Sequence, residues 1–219
     1  MVKRIDVMNV ELDNYSMREA MTLVETFLNN TVLNTIEEVS LRMIMQAEDD
    51  LVVRECIRGL DIAVPGEKEI FAGTDINGGE TMHNHFFYEF AKRAMRNKKT
   101  VLLLGKTLED VEALKTFLEQ GYDRLQVIGS CYLDQYADYA GVINEINIQA
   151  PDVVLSVIPS PIQEHFLMEE KERLHAKVWY GMNNSYLLHT RSSKMKRMAR
   201  SIIGKIHFRR LISDFHRNE

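Results

Sequence analysis

The second half of the chain alternates short apolar segments with segments of helical length, and this alternation restricts the fold more than any other feature. The apolar segments VLLLG, QVIG, DVVLSVI and KVWYG occupy residues 101–105, 126–129, 152–158 and 177–181. Continuous apolar runs of this length are typical of strands that are buried on both faces. Strands that alternate with helices through short links form βαβ units with a parallel sheet. The sequence therefore predicts an α/β fold with a largely parallel sheet flanked by helices.

The first half carries a weaker form of the same pattern. Residues 4–12 alternate apolar and polar and predict one strand, and residues 31–39 and 61–64 predict two more. Ser16 and Glu19 have the spacing of a capping box, which predicts a helix from Met17 to about Phe27. Further helices are expected around Met43 to Ala47 and near residues 51–59, 85–97 and 163–175. Another is capped by Thr107, and residues 143–149 end one more. The polar, glycine-rich residues 72–84 predict a mobile loop.

The domain organisation that we expect is one α/β domain over residues 1–190, either undivided or built as two lobes of about 1–98 and 99–190. Residues 191–219 follow as a basic amphipathic segment. Cys56 and Cys131 are too few for a disulfide scaffold, so both are expected to be reduced. The N-terminus has no signal-peptide pattern and no apolar run is long enough to span a membrane, which indicates a cytoplasmic protein or one on the cytoplasmic face of a membrane.

Charge is distributed unevenly along the chain. The formal net charge is -5, yet residues 191–219 hold nine Lys or Arg against two acidic residues. Such a basic segment favours an anionic partner, which can be a lipid surface, a phosphorylated ligand or nucleic acid; the alternative is a solvated helix face. Its apolar positions predict two short helices broken at Gly204, and the basic residues opposite them, which would contact a membrane or a diphosphate, are Lys196, Arg197, Arg200, Arg209 and Arg210. The acidic body disfavours nucleic acid.

Ligands bind at the carboxyl ends of parallel strands, so the loops that follow the predicted strands are the candidate site. Neither a dinucleotide fingerprint, a phosphate-binding P-loop, a nucleophile elbow nor a metal-ligand spacing occurs there. Gly105, before a predicted helix start, could admit a diphosphate close to free amides, or it could be a turn glycine.

Four segments, in this order, resemble the WecB/TagA/CpsF glycosyltransferases, glycosyltransferase family 26. They are LLLGKTLEDVEALKTFLEQGYDRLQVIGS, residues 144–150 leading into PDVVLSVI, the turn SPIQE, and the basic C-terminal segment. The resemblance implies a Rossmann-like fold and no cofactor. It also implies transfer of a sugar, often N-acetylmannosamine, from a UDP-sugar to a polyprenyl-diphosphate-linked acceptor at the inner membrane face, with inversion and without a metal. Such transfer serves the synthesis of cell-wall or surface polysaccharide.

The resemblance also suggests roles for individual residues. Gln163, in the proline-stiffened turn with Ser160, would contact the nucleotide sugar, and Glu164 would offset the dipole of the next helix. The family's Thr-x-Asn motif aligns with Glu38 and Ser40, so Ser40 is a further substrate-binding candidate.

The sequence departs from the family at the general base, because Gly66 stands where the family has its catalytic aspartate. Glycine cannot take a proton, so Glu67, Glu69 or Glu38 are the candidates for a relocated base. The alternative is a catalytically impaired relative that binds a nucleotide sugar or a lipid-linked intermediate as a partner or regulator. Apolar faces in the methionine-rich first half would suit a homo-oligomer.

Overall fold

A computed structural model of the chain describes residues 4–71 and 83–182. The strands are β1 Arg4–Val7, β2 Val10–Asp13, β3 Asn34–Val39, β4 Ile62–Pro65, β5 Thr100–Gly105, β6 Gln126–Tyr132, β7 Val153–Ser156 and β8 Val178–Gly181. The α-helices are α1 Met17–Asn29, α2 Leu41–Asp49, α3 Leu51–Arg58, α4 His83–Arg96, α5 Leu108–Glu119, α6 Tyr139–Gln149 and α7 Ile162–Glu170. Single 3₁₀ turns cover Lys68–Phe71, Leu133–Gln135 and Lys171–Arg173.

The main sheet has six strands in the order β4-β3-β8-β7-β5-β6, and every neighbouring pair is parallel. This confirms the predicted Rossmann-like α/β fold. Strand β8 lies between β3 and β7, so strands from both halves of the chain share one sheet. The core on the first face of the sheet is formed with α2, α3, α6 and α7, and the core on the second face with α1, α4 and α5.

The prediction of one strand over residues 4–12 is wrong, because the segment is a hairpin. Strands β1 and β2 pair antiparallel, with Val7 opposite Val10. Met8 and Asn9 between them have φ values of 55° and 62°, the left-handed conformation of a tight two-residue hairpin turn. The apolar alternation runs on through this turn, and the hairpin buries Ile5 and Leu12 in the first-face core.

The start of α1 agrees with the sequence, whereas other element boundaries differ. Ser16 caps α1 as predicted: its hydroxyl accepts from the Glu19 amide and the Glu19 carboxylate accepts from the Ser16 amide. Strand β6 extends three residues beyond its predicted end, and the helix predicted over 163–175 is α7 followed by a 3₁₀ turn. Helix α4 begins at residue 83, two residues early, and the rest of the predicted loop, 72–82, lies outside the described residues.

Two of the methionines that the structure describes in the first half lie inside the protein. Met21 and Met43 are buried in the two cores. The homo-oligomer therefore stays a prediction, without support from these side chains. Cys56 and Cys131 are buried free thiols, and burial raises the pKa of both. No helix in residues 4–71 and 83–182 is both long and apolar enough to cross a membrane.

Candidate active site

Buried polar side chains gather where the central strands β3, β8 and β7 end. Glu37, Ser156, Gln163 and Glu164 are each at most 4% exposed, although they lie among apolar core residues. Burying polar groups without hydrogen-bond partners costs free energy, so such a cluster indicates a candidate functional site. It lies at the carboxyl edge of the parallel sheet, where α/β proteins bind ligands.

Gln163 lies in the first turn of α7, at the edge of the sheet where the sequence predicts it. The Ser156 hydroxyl donates to Gln163 Oε1 over 2.6 Å, and the same hydroxyl accepts from the Ile158 amide. The contact fixes which way the side-chain amide points, because the oxygen must face Ser156. The NH₂ group then faces strand β8, close to Gly181.

Gly181 is a glycine because two side chains occupy the space above it. A Cβ atom at this position would lie 2.6 Å from Gln163 Nε2 and 2.7 Å from Glu37 Cγ. Contacts this short cannot be accommodated without moving one of the two side chains. The glycine that ends the strand segment KVWYG therefore leaves room for both the Glu37 and the Gln163 side chains.

Sequence reasoning missed Glu37. It is fully buried on the first face of β3, where Trp179 Nε1 donates to its Oε1 over 3.2 Å. Its Oε2 atom and both carboxyl oxygens of Glu164 have no hydrogen-bond partner in the part of the chain that the structure describes. The one signal in the sequence was a pair of glutamates inside a strand that is otherwise largely apolar, NTIEEV.

Burial raises the pKa of Glu37 well above its usual value, and the negative charge of Glu164 raises it further. Burial also raises the pKa of Glu164. Hydrogen bonds from its own backbone amide and from Ser160 act in the opposite direction and lower the pKa of Glu164. The predicted role of Glu164 in offsetting the helix dipole stays a prediction.

Two polar contacts fix the turn that precedes Gln163. The Ser160 hydroxyl donates to Gln46 Oε1 on α2 over 2.8 Å. His165 Nε2 and Asp50 Oδ2 lie 2.9 Å apart, and this hydrogen bond lowers the pKa of Asp50. Asp50 is also the N-cap of α3. The start of α7 is therefore connected to α2 through Gln46 and to α3 through Asp50.

Ser40 and Gly105 flank the cluster, and each has a structural role that explains its residue type. The Ser40 hydroxyl accepts from the Met43 amide over 3.2 Å and so caps α2. A Cβ at Gly105 would lie 2.9 Å from both Asp110 Cβ and Val111 Cγ2, so the first turn of α5 requires glycine there. The substrate-binding roles of Ser40, Gly105 and Ser160 stay predictions.

The three candidate bases occupy different environments. Glu38 points to the second face, is 1% exposed, and accepts from the Tyr180 hydroxyl over 2.7 Å. Glu67 and Glu69 are half-buried and follow β4. The Gly66 amide still bonds to the neighbouring strand β3, so Glu67 is the first residue beyond the ladder. Accessibility therefore favours Glu67 or Glu69 over Glu38.

In residues 4–71 and 83–182, no group of three or more His, Cys, Asp or Glu side chains could hold a metal ion. The predicted contacts of the basic segment, Lys196 to Arg210, lie outside the described residues.

Comparison with known proteins identifies the family to which the chain belongs. A family model described as the glycosyl transferase WecG/TagA/CpsF family matches residues 5–204. The chain belongs to this family. Its relatives include proteins of Staphylococcus aureus strains NCTC 8325 and COL, each named N-acetylglucosaminyldiphosphoundecaprenol N-acetyl-beta-D-mannosaminyltransferase. Each is 24% identical over 190 residues, which cover 83% of this chain and 74% of the relative.

Membership of the WecG/TagA/CpsF family confirms the resemblance seen in the sequence. The match runs from the N-terminal hairpin past β8 and includes the SPIQE turn, so the buried cluster lies within the shared region. Gly66 and the half-buried Glu67, which directly follow β4, also lie within the region that the family model matches.

Proposed function

We propose that this protein transfers an N-acetylmannosamine-like sugar from a UDP-sugar to a polyprenyl-diphosphate-linked acceptor, in the synthesis of cell-wall or surface polysaccharide. The observation that carries the proposal is the Gln163 amide, which Ser156 orients at the carboxyl edge of the sheet in a family of glycosyltransferases. The names of the Staphylococcus relatives support both the sugar and the lipid-linked acceptor.

The proposed reaction is a single displacement that needs neither a metal nor a cofactor. The acceptor hydroxyl oxygen attacks the anomeric carbon, the bond from that carbon to the UDP oxygen breaks, and UDP leaves with the electron pair. Attack from the side opposite UDP inverts the configuration. Glu67, or Glu69 two residues on, takes the proton from the acceptor hydroxyl.

The donor would be held by the strand ends around Gln163. The Gln163 amide contacts the nucleotide sugar, while Ser160, Ser40 and Gly105 line the neighbouring loops. Helices α2 and α5 start beside Ser40 and Gly105, and free amides at a helix N-terminus suit the negative diphosphate.

The acceptor's lipid places the reaction at a membrane, and we propose a peripheral position on its inner face. The basic residues of 191–219 would supply the attachment, since each Lys or Arg near an anionic surface contributes about 1 kcal/mol. The same arginines could instead reach the acceptor or donor diphosphate as bidentate donors.

Two measurements test the proposal. Titration calorimetry with UDP and UDP-N-acetylmannosamine, without added metal, measures donor binding, and transfer of labelled sugar to a polyprenyl-diphosphate N-acetylglucosamine acceptor measures turnover. Binding together with transfer supports the proposal. A folded protein that binds no UDP-sugar contradicts it.

One observation favours a second candidate, a relative that binds the nucleotide sugar or the lipid-linked intermediate without turnover. By the resemblance seen in the sequence, Gly66 stands where the family has its catalytic aspartate, and the alternative acid Glu38 is buried against Tyr180. Donor binding without any transfer would select this partner or regulator role.

The Gln163→Ala substitution is expected to weaken donor affinity about tenfold or more, because it removes the oriented amide and the hydrogen bonds that the amide makes to the ligand. Calorimetry with UDP-N-acetylmannosamine measures the change. Ser156→Ala is the matched control, since it removes the same internal hydrogen bond but leaves the amide in place. Unchanged affinity in the folded Gln163→Ala protein would exclude the donor-binding role.

Deletion of residues 194–219 is expected to release the protein from vesicles that contain anionic lipid, because it removes most of the basic charge of the segment. Co-sedimentation measures the bound fraction. A full-length variant with Lys196, Arg197 and Arg200 changed to glutamine keeps the apolar positions and separates charge from hydrophobic contact. Full retention of the truncated chain on the vesicles would place the attachment elsewhere.

A further inference from the structure

Helix α7 carries Gln163 in its first turn, but no side chain caps this helix at its N-cap residue, Pro161. Helices α1, α2, α3, α5 and α6 each begin at a Ser, Thr or Asp whose side chain accepts from a backbone amide of the first turn. Such caps stabilise the start of a helix from within its own sequence. The position of the start of α7 therefore depends on contacts with other elements.

Two such contacts flank Gln163 in the sequence. Three residues before it, the Ser160 hydroxyl donates to Oε1 of Gln46 over 2.8 Å. Two residues after it, Nε2 of His165 lies 2.9 Å from Oδ2 of Asp50. The partners are 114 and 115 residues apart along the chain, so both contacts depend on the tertiary fold and not on the local conformation of α7.

Asp50 uses its two carboxyl oxygens differently. Oδ1 accepts from the amides of Val52 and Val53 over 2.9 and 3.3 Å and so caps α3, whereas Oδ2 faces His165. The hydrogen bond with His165 is the largest effect on this carboxyl group and lowers the pKa of Asp50, so the group is ionised at neutral pH. Serine would cap α3 about as well as aspartate. Capping alone therefore does not explain the contact with α7.

Gln46 and Asp50 are held together where α2 passes into α3. The Asp50 amide donates to the Gln46 carbonyl oxygen over 2.8 Å, which places the two side chains one helical turn apart. Both helices contribute to the core on the first face of the sheet, and α3 packs against α7. This α2–α3 junction, residues 46–50, is therefore a support on which the start of α7 rests.

We propose that Gln46 and Asp50 are positioning residues, which place the Gln163 amide for the donor by holding both flanks of its turn. The inference rests on the proposed function. Ser156 fixes the direction in which Gln163 Oε1 points, through a 2.6 Å hydrogen bond, while the α2–α3 junction fixes where the backbone of the turn lies. Neither positioning residue needs to touch the donor, because both act through the turn.

The test uses substitutions that remove one contact at a time from the full-length protein. Gln46→Met keeps the length of the side chain but removes the acceptor of the Ser160 hydroxyl. Asp50→Ser keeps a cap for α3 but is too short to reach His165. Ser16→Ala removes the capping box of α1 on the other face of the sheet and controls for a general loss of stability. Calorimetry measures the affinity for UDP-N-acetylmannosamine.

We expect Gln46→Met and Asp50→Ser each to weaken donor affinity about threefold, and the double variant about tenfold, the effects of one and of two lost hydrogen bonds. The KM for the lipid-linked acceptor should not change, and Ser16→Ala should bind the donor as the wild type does. A folded double variant with wild-type donor affinity would overturn the positioning role. An equal loss of affinity in Ser16→Ala would also overturn it, because that loss would reflect stability alone.

The Gln163→Ala background separates positioning from a purely structural role. If Gln46 and Asp50 act through the Gln163 amide, substituting both should cause no further loss of donor affinity once that amide is absent. The same tenfold loss in this background would show that they act on the fold in general, and it would refute the proposal.

A further readout does not depend on the ligand. Hydrogen exchange followed by mass spectrometry compares residues 159–167 of the wild type and the double variant, with α5 as the internal reference. We expect exchange at the start of α7 to be about tenfold faster in the double variant and unchanged in α5. Unchanged exchange at the start of α7 would show that the two contacts do not hold the turn. If the folded wild-type protein binds no UDP-sugar, the proposed function fails, and the exchange rates still decide whether the α2–α3 junction holds the turn.

Discussion

We expect the Glu67→Gln substitution to lower kcat for sugar transfer by about 10²–10⁴-fold, the contribution that a general base typically makes. Glutamine has almost the same shape as glutamate but cannot take a proton from the acceptor hydroxyl. Glu67 is the first residue beyond the β3–β4 ladder and is half-buried, which suits a group that must reach an acceptor at the sheet edge. Donor affinity should be unchanged, because Gln163 and its neighbours stay in place. Single-turnover kinetics with labelled donor, together with calorimetry, separate the two effects.

Two matched variants decide where the base lies. Glu69→Gln tests the second accessible candidate, and Glu38→Gln tests the buried one while keeping an acceptor for the Tyr180 hydroxyl. We expect both to stay within about tenfold of the wild-type kcat, below the range of a lost base. Full activity of Glu67→Gln together with a large loss of activity in Glu69→Gln would identify Glu69 as the general base. Full activity of all three would mean that no glutamate near Gly66 is the base.

The sequence predicted the sheet well because its strands are buried on both faces. A strand in that position must be apolar along its whole length, so VLLLG and DVVLSVI stand out from the helices around them. The hairpin at the N-terminus was missed because its turn does not interrupt the apolar pattern typical of a strand. Its apolar alternation continues through the turn at Met8 and Asn9, and neither residue is one of the glycines that usually signal such a turn.

The candidate site was predictable only where it follows a family motif. Gln163 lies in SPIQE, and its place at the sheet edge follows from that turn. Glu37 and Glu38 are neighbours in the sequence, but alternation along the strand sends them to opposite faces of the sheet. Glu38 was chosen by alignment and is buried against Tyr180, whereas the Glu37 side chain, like that of Gln163, lies over Gly181. Which of two adjacent glutamates faces the site depends on strand register, which the sequence of the strand alone does not fix.

Trp179→Ala is expected to lower the free energy of unfolding by about 3–5 kcal/mol, the usual cost of removing a large buried aromatic side chain. Trp179 is 0% exposed and stacks on Phe166 with ring centroids 5.7 Å apart, which joins β8 to α7 under the site. The substitution also removes the hydrogen bond from Nε1 to Glu37, so it leaves a fourth buried carboxyl oxygen without that donor. Urea denaturation with a constant m-value measures the change.

Trp179→Phe separates packing from hydrogen bonding at the same position. Phenylalanine keeps a ring against Phe166 but has no N–H group, so we expect a loss of about 1–3 kcal/mol, the cost of an unsatisfied buried acceptor, plus a small cavity. Burial raises the pKa of Glu37, and the lost hydrogen bond from Trp179 matters more for a charged than for a neutral carboxyl group, so the destabilisation by Trp179→Phe should grow as the pH rises through that pKa. Equal destabilisation by the alanine and phenylalanine variants would show that Trp179 stabilises the fold through its hydrogen bond to Glu37 on β3 rather than through its stacking on Phe166 of α7. A loss below about 1 kcal/mol for alanine would contradict the buried position of the indole ring, because a cavity of that size cannot form at so small a cost.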